Sequence, residues 1–457
     1  MKKLICSFIF LSCLFFTGCV EVVEHLNSPV STWGGTEISE ARFFSNGKKE
    51  CEWLFVFYMD GDNNIESNIF SDLNEVEKGL SYVRDADGKP ISGYEDVRCV
   101  VLWDGITSRL YSFVYDVGPD ENDLMLGSST FDIRGINFLK KKNYEVDMSN
   151  GQTLTDFLNW VNSRYKANHI VLQVADHGSG PGNYTRAMCQ DVTSGSHWMT
   201  SNDFSNALWK AGYGYMKKKF DCILFDICLG ASIEDAYQFR YCADYMIASP
   251  DVTPVSGFYY VDVMKCFKKG ILEKNLALEM TRTFSENYAT GFRDVKPTIT
   301  LFDLAQVEKC ADSINDFASA IMDYKGSYCK FLNSKCEDSV FYRGSYVWLF
   351  DIGYFANNVR VNSSGEIRDK AESVLHDLSS VIIYSWGCGK YSSENANQKS
   401  YGITISTGML GIVTDNTIYG IPSWYRTDLD FAKKDVYPNG WGTMMETWFG
   451  VGMNGLN

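Results

Sequence analysis

Two apolar runs near the middle of the chain, Val171-Leu172-Gln173-Val174-Ala175-Asp176-His177-Gly178 and Cys222-Ile223-Leu224-Phe225-Asp226-Ile227-Cys228-Leu229, each end in a reactive side chain. A thiol beside an imidazole is a pairing suited to attack on a carbonyl, with sulfur as nucleophile and the ring as acid and base. His177 would deliver a proton to a departing amine. The amides of Gly178, which has no side chain to hold a substrate off, and of Cys228 would face a developing oxyanion. Asp226 adds a negative charge suited to a basic substrate side chain. Taken singly, each residue also has a plainer role. A buried cysteine is ordinary core, a histidine at a strand end is a structural hydrogen-bonding group, and Asp226 could cap a helix.

The chemistry depends on where these runs sit. Apolar runs of this length read as strands covered on both faces, the central strands of a parallel sheet. Open parallel sheets bind ligands beyond the carboxyl ends of their strands, which is where His177 and Cys228 fall. Strand side chains alternate between faces, so Asp226 and Cys228 share one if the strand continues that far. Gly230-Ala231-Ser232 then leads into a helix whose N-terminus would lower the thiol pKa.

The surrounding chain alternates strand and helix. Strand patterns cover 53–59 and 97–103, with another at 110–117 beside the latter, and helical spacing covers 65–78 and 154–165. Thr153 or Thr155 would cap the second helix. A polar, Gly-rich stretch at 179–196 and a helix at 202–210 separate the histidine strand from the cysteine strand. A helix at 232–239 and a strand at 245–249 follow. This alternation predicts an α/β fold on a parallel or mixed sheet. Longer helices at 304–322 and 367–384, with a strand at 401–406, predict a C-terminal subdomain or extension over 301–457, after a main domain over 51–300.

With 457 residues, 45% of them hydrophobic and 22% charged, the chain can bury a large core. The first eighteen residues differ: Lys2-Lys3 precede an apolar stretch over 4–16 that is too short to span a membrane. Phe16-Thr17-Gly18-Cys19 resembles a bacterial lipobox, with Phe16 where Leu is usual. These features predict a lipoprotein signal peptide over 1–18 and a lipidated Cys19 that anchors the exported protein to the cell envelope or outer membrane. A tether over 19–50 would follow. Simple secretion is the alternative.

Net charge is −15, or −17 once Lys2 and Lys3 leave, which disfavours nucleic acid as a partner. Of fourteen cysteines, Cys6 and Cys13 leave with the signal and Cys19 carries lipid. The eleven that remain are an odd number, so at least one thiol stays unpaired within the chain, and no Cys-x-x-Cys pair supports structural zinc. His25, His169, His197 and His376 show no metal-ligand spacing. Ser179, in Gly178-Ser179-Gly180, lacks the elbow of a serine hydrolase.

Further blocks flank the two runs: Trp53-Leu-Phe-Val-Phe-Tyr-Met59, Gly61-Asp62-Asn63-Asn64-Ile65-Glu66, Asp72-Leu73-Asn74-Glu75-Val76-Glu77, Thr153-Leu-Thr-Asp-Phe-Leu-Asn-Trp160, Ser232-Ile233-Glu234 and Ala243-Asp244-Tyr245. In this order they resemble the clostripain family of cysteine peptidases, in the caspase-like clan. Coverage runs from about Trp53 to Tyr260, with weaker similarity through Leu301-Phe302-Asp303-Leu304 toward 403–406.

The resemblance implies a caspase-like three-layer α/β sandwich with a central, mostly parallel sheet and a C-terminal α/β extension. It implies His177 and Cys228 as the catalytic pair, and Asp226 as the acid that selects Arg or Lys before the cleaved bond. Asp251 stands where a second pocket acid occurs, although Ser249-Pro250-Asp251 departs from the family's Ser-Glu. Ser179-Gly180-Pro181-Gly182 departs from the glycines and Trp usual after the histidine, and Phe258 replaces a frequent Trp.

The implied activity is that of an exported, lipid-anchored cysteine endopeptidase that cuts peptides or proteins after basic residues through a thioacyl-enzyme. The chemistry requires no cofactor. One rival is a catalytically silent surface lipoprotein that uses the fold as a binding module; another is acyl transfer or amide hydrolysis on a non-protein substrate. Family members also cut themselves between the histidine and cysteine strands, where this chain carries Arg186, Lys210, Lys217, Lys218 and Lys219. Calcium is a further implication, as a structural or activating ion. Asp60-Gly61-Asp62-Asn63-Asn64 begins like a calcium loop, but Ile65 and Ser71 stand where an EF-hand needs Gly and Glu. The stretch therefore reads as a helix cap, and the residues place no calcium site.

Overall fold

A computed structural model describes residues 48–445 apart from 84–95, 108–110, 122–125, 132, 182–186, 215–216, 269, 292–296, 324–340, 344–346, 388–399, 414–415, 421–424, 426–427 and 434–439. The signal peptide, Cys19, nearly all of the tether and Arg186 lie outside the described residues.

In chain order, β1 (Lys49–Gly61) leads through α1 (Glu66–Ser81) to β2 (Val97–Gly105), β3 (Phe113–Val117) and β4 (Ser129–Thr130). Then α2 (Asn137–Lys141) and α3 (Gly151–Arg164) precede β5 (Tyr165–Ala175), the histidine strand. A two-stranded ribbon of β6 (Met188–Asp191) and β7 (His197–Met199), followed by α4 (Ser201–Lys210), leads to β8 (Phe220–Asp226), the cysteine strand. Next come α5 (Ile233–Phe239), β9 (Ala243–Ala248), α6 (Tyr260–Lys265), α7 (Glu273–Gly291), β10 (Ile299–Asp303) and α8 (Val307–Met322). The described set ends with β11 (Phe341–Arg343), β12 (Val347–Asp351), α9 (Ile352–Asn362), α10 (Glu366–Val381), β13 (Ile382–Trp386), β14 (Thr404–Val413), β15 (Asn416–Gly420) and α11 (Asp430–Lys433).

The main sheet has nine strands in the order β13-β10-β9-β8-β5-β1-β2-β3-β4. Its centre, β9-β8-β5-β1-β2, is parallel, and antiparallel strands flank both sides. The alternation of β1 explains the layers. Leu54, Val56 and Tyr58 pack into one core with Phe157 of α3, Phe204 of α4, Ile233 of α5 and Ile314 of α8. Phe55, Phe57 and Met59 pack into a second core with Leu73 of α1, Met264 of α6 and Met280 of α7. Helices therefore cover both faces, and the fold is the three-layer α/β sandwich expected. A second, four-stranded sheet runs β11-β12-β14-β15.

Some boundaries differ from the sequence expectation. The cap of α3 is Asn150, whose side chain accepts from the Gln152 amide, while Thr153 and Thr155 sit within the helix and are buried. The helix expected to reach Tyr384 stops at Val381, and Ile382–Trp386 forms the edge strand β13. That run is rich in β-branched and aromatic residues, which favour a strand. A division between residues 300 and 301 falls inside β10, so the C-terminal portion contributes strands to the main sheet. All eight described cysteines are buried.

Candidate active site

The carboxyl ends of β5 and β8 lie side by side, with Ala175 opposite Asp226 in a parallel register. The segments that follow stay together, and glycine is what permits this. A Cβ on Gly178 would stand 2.2 Å from the Cys228 carbonyl oxygen and 2.9 Å from its amide nitrogen, closer than any side chain tolerates. His177 and Cys228 consequently line one cleft, together with Asp72, Asp226, Thr253 and Gly257. Cys228 is 8% exposed and His177 is half-buried.

Strand β8 ends at Asp226, before the cysteine, and Leu229 takes a left-handed φ of 61°. This turn sends residues 229–231 alongside 249–251, where the Leu229 and Ala231 amides donate to the Asp251 and Ser249 carbonyls. Helix α5 begins only after that detour. Its own Ser232 takes the Asp235 amide, and Glu234 and Asp235 occupy its first turn. An N–H at the sulfur comes instead from Thr253, whose amide donates to Sγ at 3.3 Å. The thiol donates back to the Thr253 carbonyl oxygen at 3.8 Å. The Thr253 hydroxyl is pinned in turn to the Ile227 carbonyl at 2.8 Å.

His177 is held from its far side, where Nε2 bonds to Asn64 Oδ1 at 2.8 Å. The residue before it, Asp176, is buried and accepts from Asn63 Nδ2 at 2.6 Å and from the Gln190 amide. Burial pushes the Asp176 carboxyl up to about 7, against the pull of His177 and these donors. The loop after β1 therefore grips both residues at the end of β5. The Trp198 ring lies 6.3 Å from the imidazole, whereas His197 is exposed.

Below Cys228 and His177 the cleft is acidic. Asp226 Oδ2 accepts from the Phe258 amide and the Tyr260 hydroxyl, both at 3.0 Å, and burial raises its pKa to about 6 despite those bonds. Gly257 lets the chain pass over this carboxylate, because a Cβ there would lie 2.3 Å from Oδ2. Asp72 of α1 also lines the cleft and is buried, and no described residue hydrogen-bonds to its carboxyl. Burial first, then repulsion from Asp226 and Glu75, holds the Asp72 pKa well above the usual range. Asp251 is fully buried outside the cleft, its carboxylate accepting from the Val252 amide at 2.8 Å. Asp72 is thus a further buried acid among the residues lining this cleft. A signal for it existed in the sequence: an acid on the apolar stripe Ile69, Leu73, Val76 of an amphipathic helix.

The family model described as "Clostripain family" matches residues 57–448. The chain is 23% identical to clostripain of Hathewaya histolytica over 90% of each protein. Its fold is similar to that of an inactive zymogen C11 protease from Parabacteroides distasonis (TM-score 0.60, 19% identity, 86% of this chain and 100% of that one). It is similar also to a secreted C11 cysteine protease from Bacteroides thetaiotaomicron solved with an irreversible peptide inhibitor (TM-score 0.61, 17% identity, 85% and 99%).

Proposed function

The chain belongs to the clostripain family and is a cysteine-type peptidase, and from that premise we propose that Cys228 and His177 are its working pair and that it cuts after Arg or Lys. The observation that carries this reading is a single cleft holding thiol, imidazole and the two buried carboxyls Asp72 and Asp226. A guanidinium or ammonium entering it would meet acids that have no basic partner among the described residues.

The steps follow from the groups present. Sγ of Cys228 attacks the peptide carbonyl carbon, and the oxygen takes up negative charge facing the Gly178 amide. The C–N bond breaks as His177 gives its proton to the leaving amine, which leaves a thioester on Cys228. Water then adds to the thioester, His177 takes its proton, and the acid product departs with the thiol restored. No bound cofactor enters these steps.

Fluorogenic peptides ending in Arg or Lys test the assignment, with Cys228→Ala as control. Turnover by the parent protein and none by the variant is the expected result; equal turnover by both would defeat it. A silent binding module would show no turnover in either. For localisation, the reading is export with lipid on Cys19, supported by the lipobox-like sequence; among the described residues no helix is long and apolar enough to cross a membrane. Mass spectrometry of the N-terminal peptide from membrane fractions, compared with Cys19→Ala, tests the anchor.

A further inference from the structure

Gln173 places an amide inside the main sheet, behind the cleft and not on its lining. It stands on β5 between Leu172 and Val174, opposite Phe57 of β1 and Leu224 of β8, and is fully buried. Its face of the sheet is otherwise the apolar core that holds Phe57, Val171 and Leu224. Burying an amide there is unfavourable unless both of its ends are bonded. Only one is. Nε2 donates to the Tyr260 hydroxyl oxygen at 2.6 Å, while Oε1 has no hydrogen-bond partner. Methionine, close to glutamine in length and volume, would fill the same space without an orphaned carbonyl.

From Gln173 the bonding runs to the cleft. The Tyr260 hydroxyl donates to Asp226 Oδ2 at 3.0 Å. An ionised carboxylate only accepts, so the phenol must supply the proton, and its own oxygen then needs a donor. The Gln173 amide nitrogen is that donor, and it fixes the direction of the chain: amide to phenol to carboxylate. Each bond polarises the next and strengthens it. Burial, followed by the Asp226 and Asp72 carboxyls, holds the phenol pKa well above its usual value, so the proton stays on it. The Phe258 amide donates to the same Oδ2, and among the described residues no hydrogen bond falls on Oδ1.

We propose that Gln173 is a positioning residue for substrate selection: through the Tyr260 hydroxyl it holds the Asp226 carboxylate, charged and in one orientation, for the guanidinium or ammonium of the substrate. The inference rests on the reading that Asp226 receives a basic side chain. It adds that the grip on that charge is set from within β5, the strand that leads to His177.

Steady-state kinetics on Arg and Lys peptides from pH 5 to 8 test this in the parent enzyme, Gln173→Met, Tyr260→Phe and the double variant. Tyr260→Phe keeps a ring packed on Phe57 and Phe258 and loses only the bond, so KM at pH 7 should rise about tenfold with kcat little changed. Gln173→Met should raise KM about threefold. The pH below which KM climbs should move upward, by about one unit in Tyr260→Phe and about half a unit in Gln173→Met, because a carboxylate that loses a donor holds its proton more tightly. The double variant should match Tyr260→Phe alone, since Gln173 acts only through that hydroxyl. A glutamine that merely packs would change the melting temperature and leave KM and its pH profile as they were. That result, or KM effects that multiply in the double variant, overturns the inference while the parent still cuts basic peptides. No cleavage of Arg or Lys peptides by the parent removes the underlying reading as well. If Gln173→Met fails to fold, Gln173→Leu takes its place in the same comparison, and an unchanged KM and pH profile in Tyr260→Phe ends the proposal without either.

Discussion

Asn64 holds His177 from the neighbouring strand end, its Oδ1 accepting from Nε2 at 2.8 Å. With an oxygen acceptor there, Nε2 carries the proton and Nδ1 is the basic nitrogen. The tautomer of the proposed acid–base group is therefore set by the loop after β1, although the histidine follows β5.

Replacing Asn64 with Ala should lower kcat by about tenfold, the worth of one orienting hydrogen bond, with little change in KM. Asn64→Asp should place a charge beside the ring and move the acid limb of the pH–rate profile upward. Both are read from steady-state kinetics, and an unchanged kcat in Asn64→Ala would remove Asn64 from the positioning of the ring.

Asp226→Asn and Asp72→Asn should each reduce kcat/KM for Arg and Lys peptides by about a hundredfold, the order expected when a buried charge partner is lost. Because both carboxyls face one pocket, the double variant should lose less than the product of the two. A double-mutant cycle measures this. Full activity in Asp72→Asn would make Asp72 a bystander to specificity.

Acidity should act through substrate binding. Asp226 attracts a cation only when ionised, and burial raises its pKa to about 6. Lowering pH from 7 to 5 protonates it and should raise KM for a basic substrate, whereas an Asp of ordinary pKa would stay charged across most of that window. The Asp226→Asn enzyme should lack this limb. KM profiles for the two proteins, measured side by side, are the check.

Gly257→Ala should damage the same pocket from above. The backbone there has φ of 48°, and the added methyl would meet Asp226 Oδ2 at 2.3 Å. Left-handed strain alone costs about 1 kcal/mol, and the displaced carboxylate should raise KM for Arg peptides further. Thermal melting and kinetics on the purified variant separate the two effects.

The two apolar runs made the centre of the fold readable, because only doubly covered strands are so uniformly hydrophobic and β5 and β8 are both interior. The alternation of elements likewise announced helices on either face. Helices α6 and α7 went unread, although Leu276, Met280, Phe284 and Tyr288 repeat every four residues on a buried face. The helix dipole expected at Cys228 did not materialise because Leu229 turns the chain aside first, and nothing in a leucine announces a left-handed φ. Asn64 and Thr253 were invisible for a different reason. They reach His177 and Cys228 from other strand ends and loops, so these contacts depend on tertiary register that no local pattern encodes.

The pairing of β5 with β8, from Val171 opposite Cys222 to Ala175 opposite Asp226, governs what happens if the exposed Lys217 or Lys218 is cut. Imidazole and thiol would then belong to separate polypeptides, yet the seam between the pieces is an interior ladder flanked by two shared cores. A nicked molecule should migrate as one particle in native gels and fall into two bands only under denaturant, with its dyad still assembled.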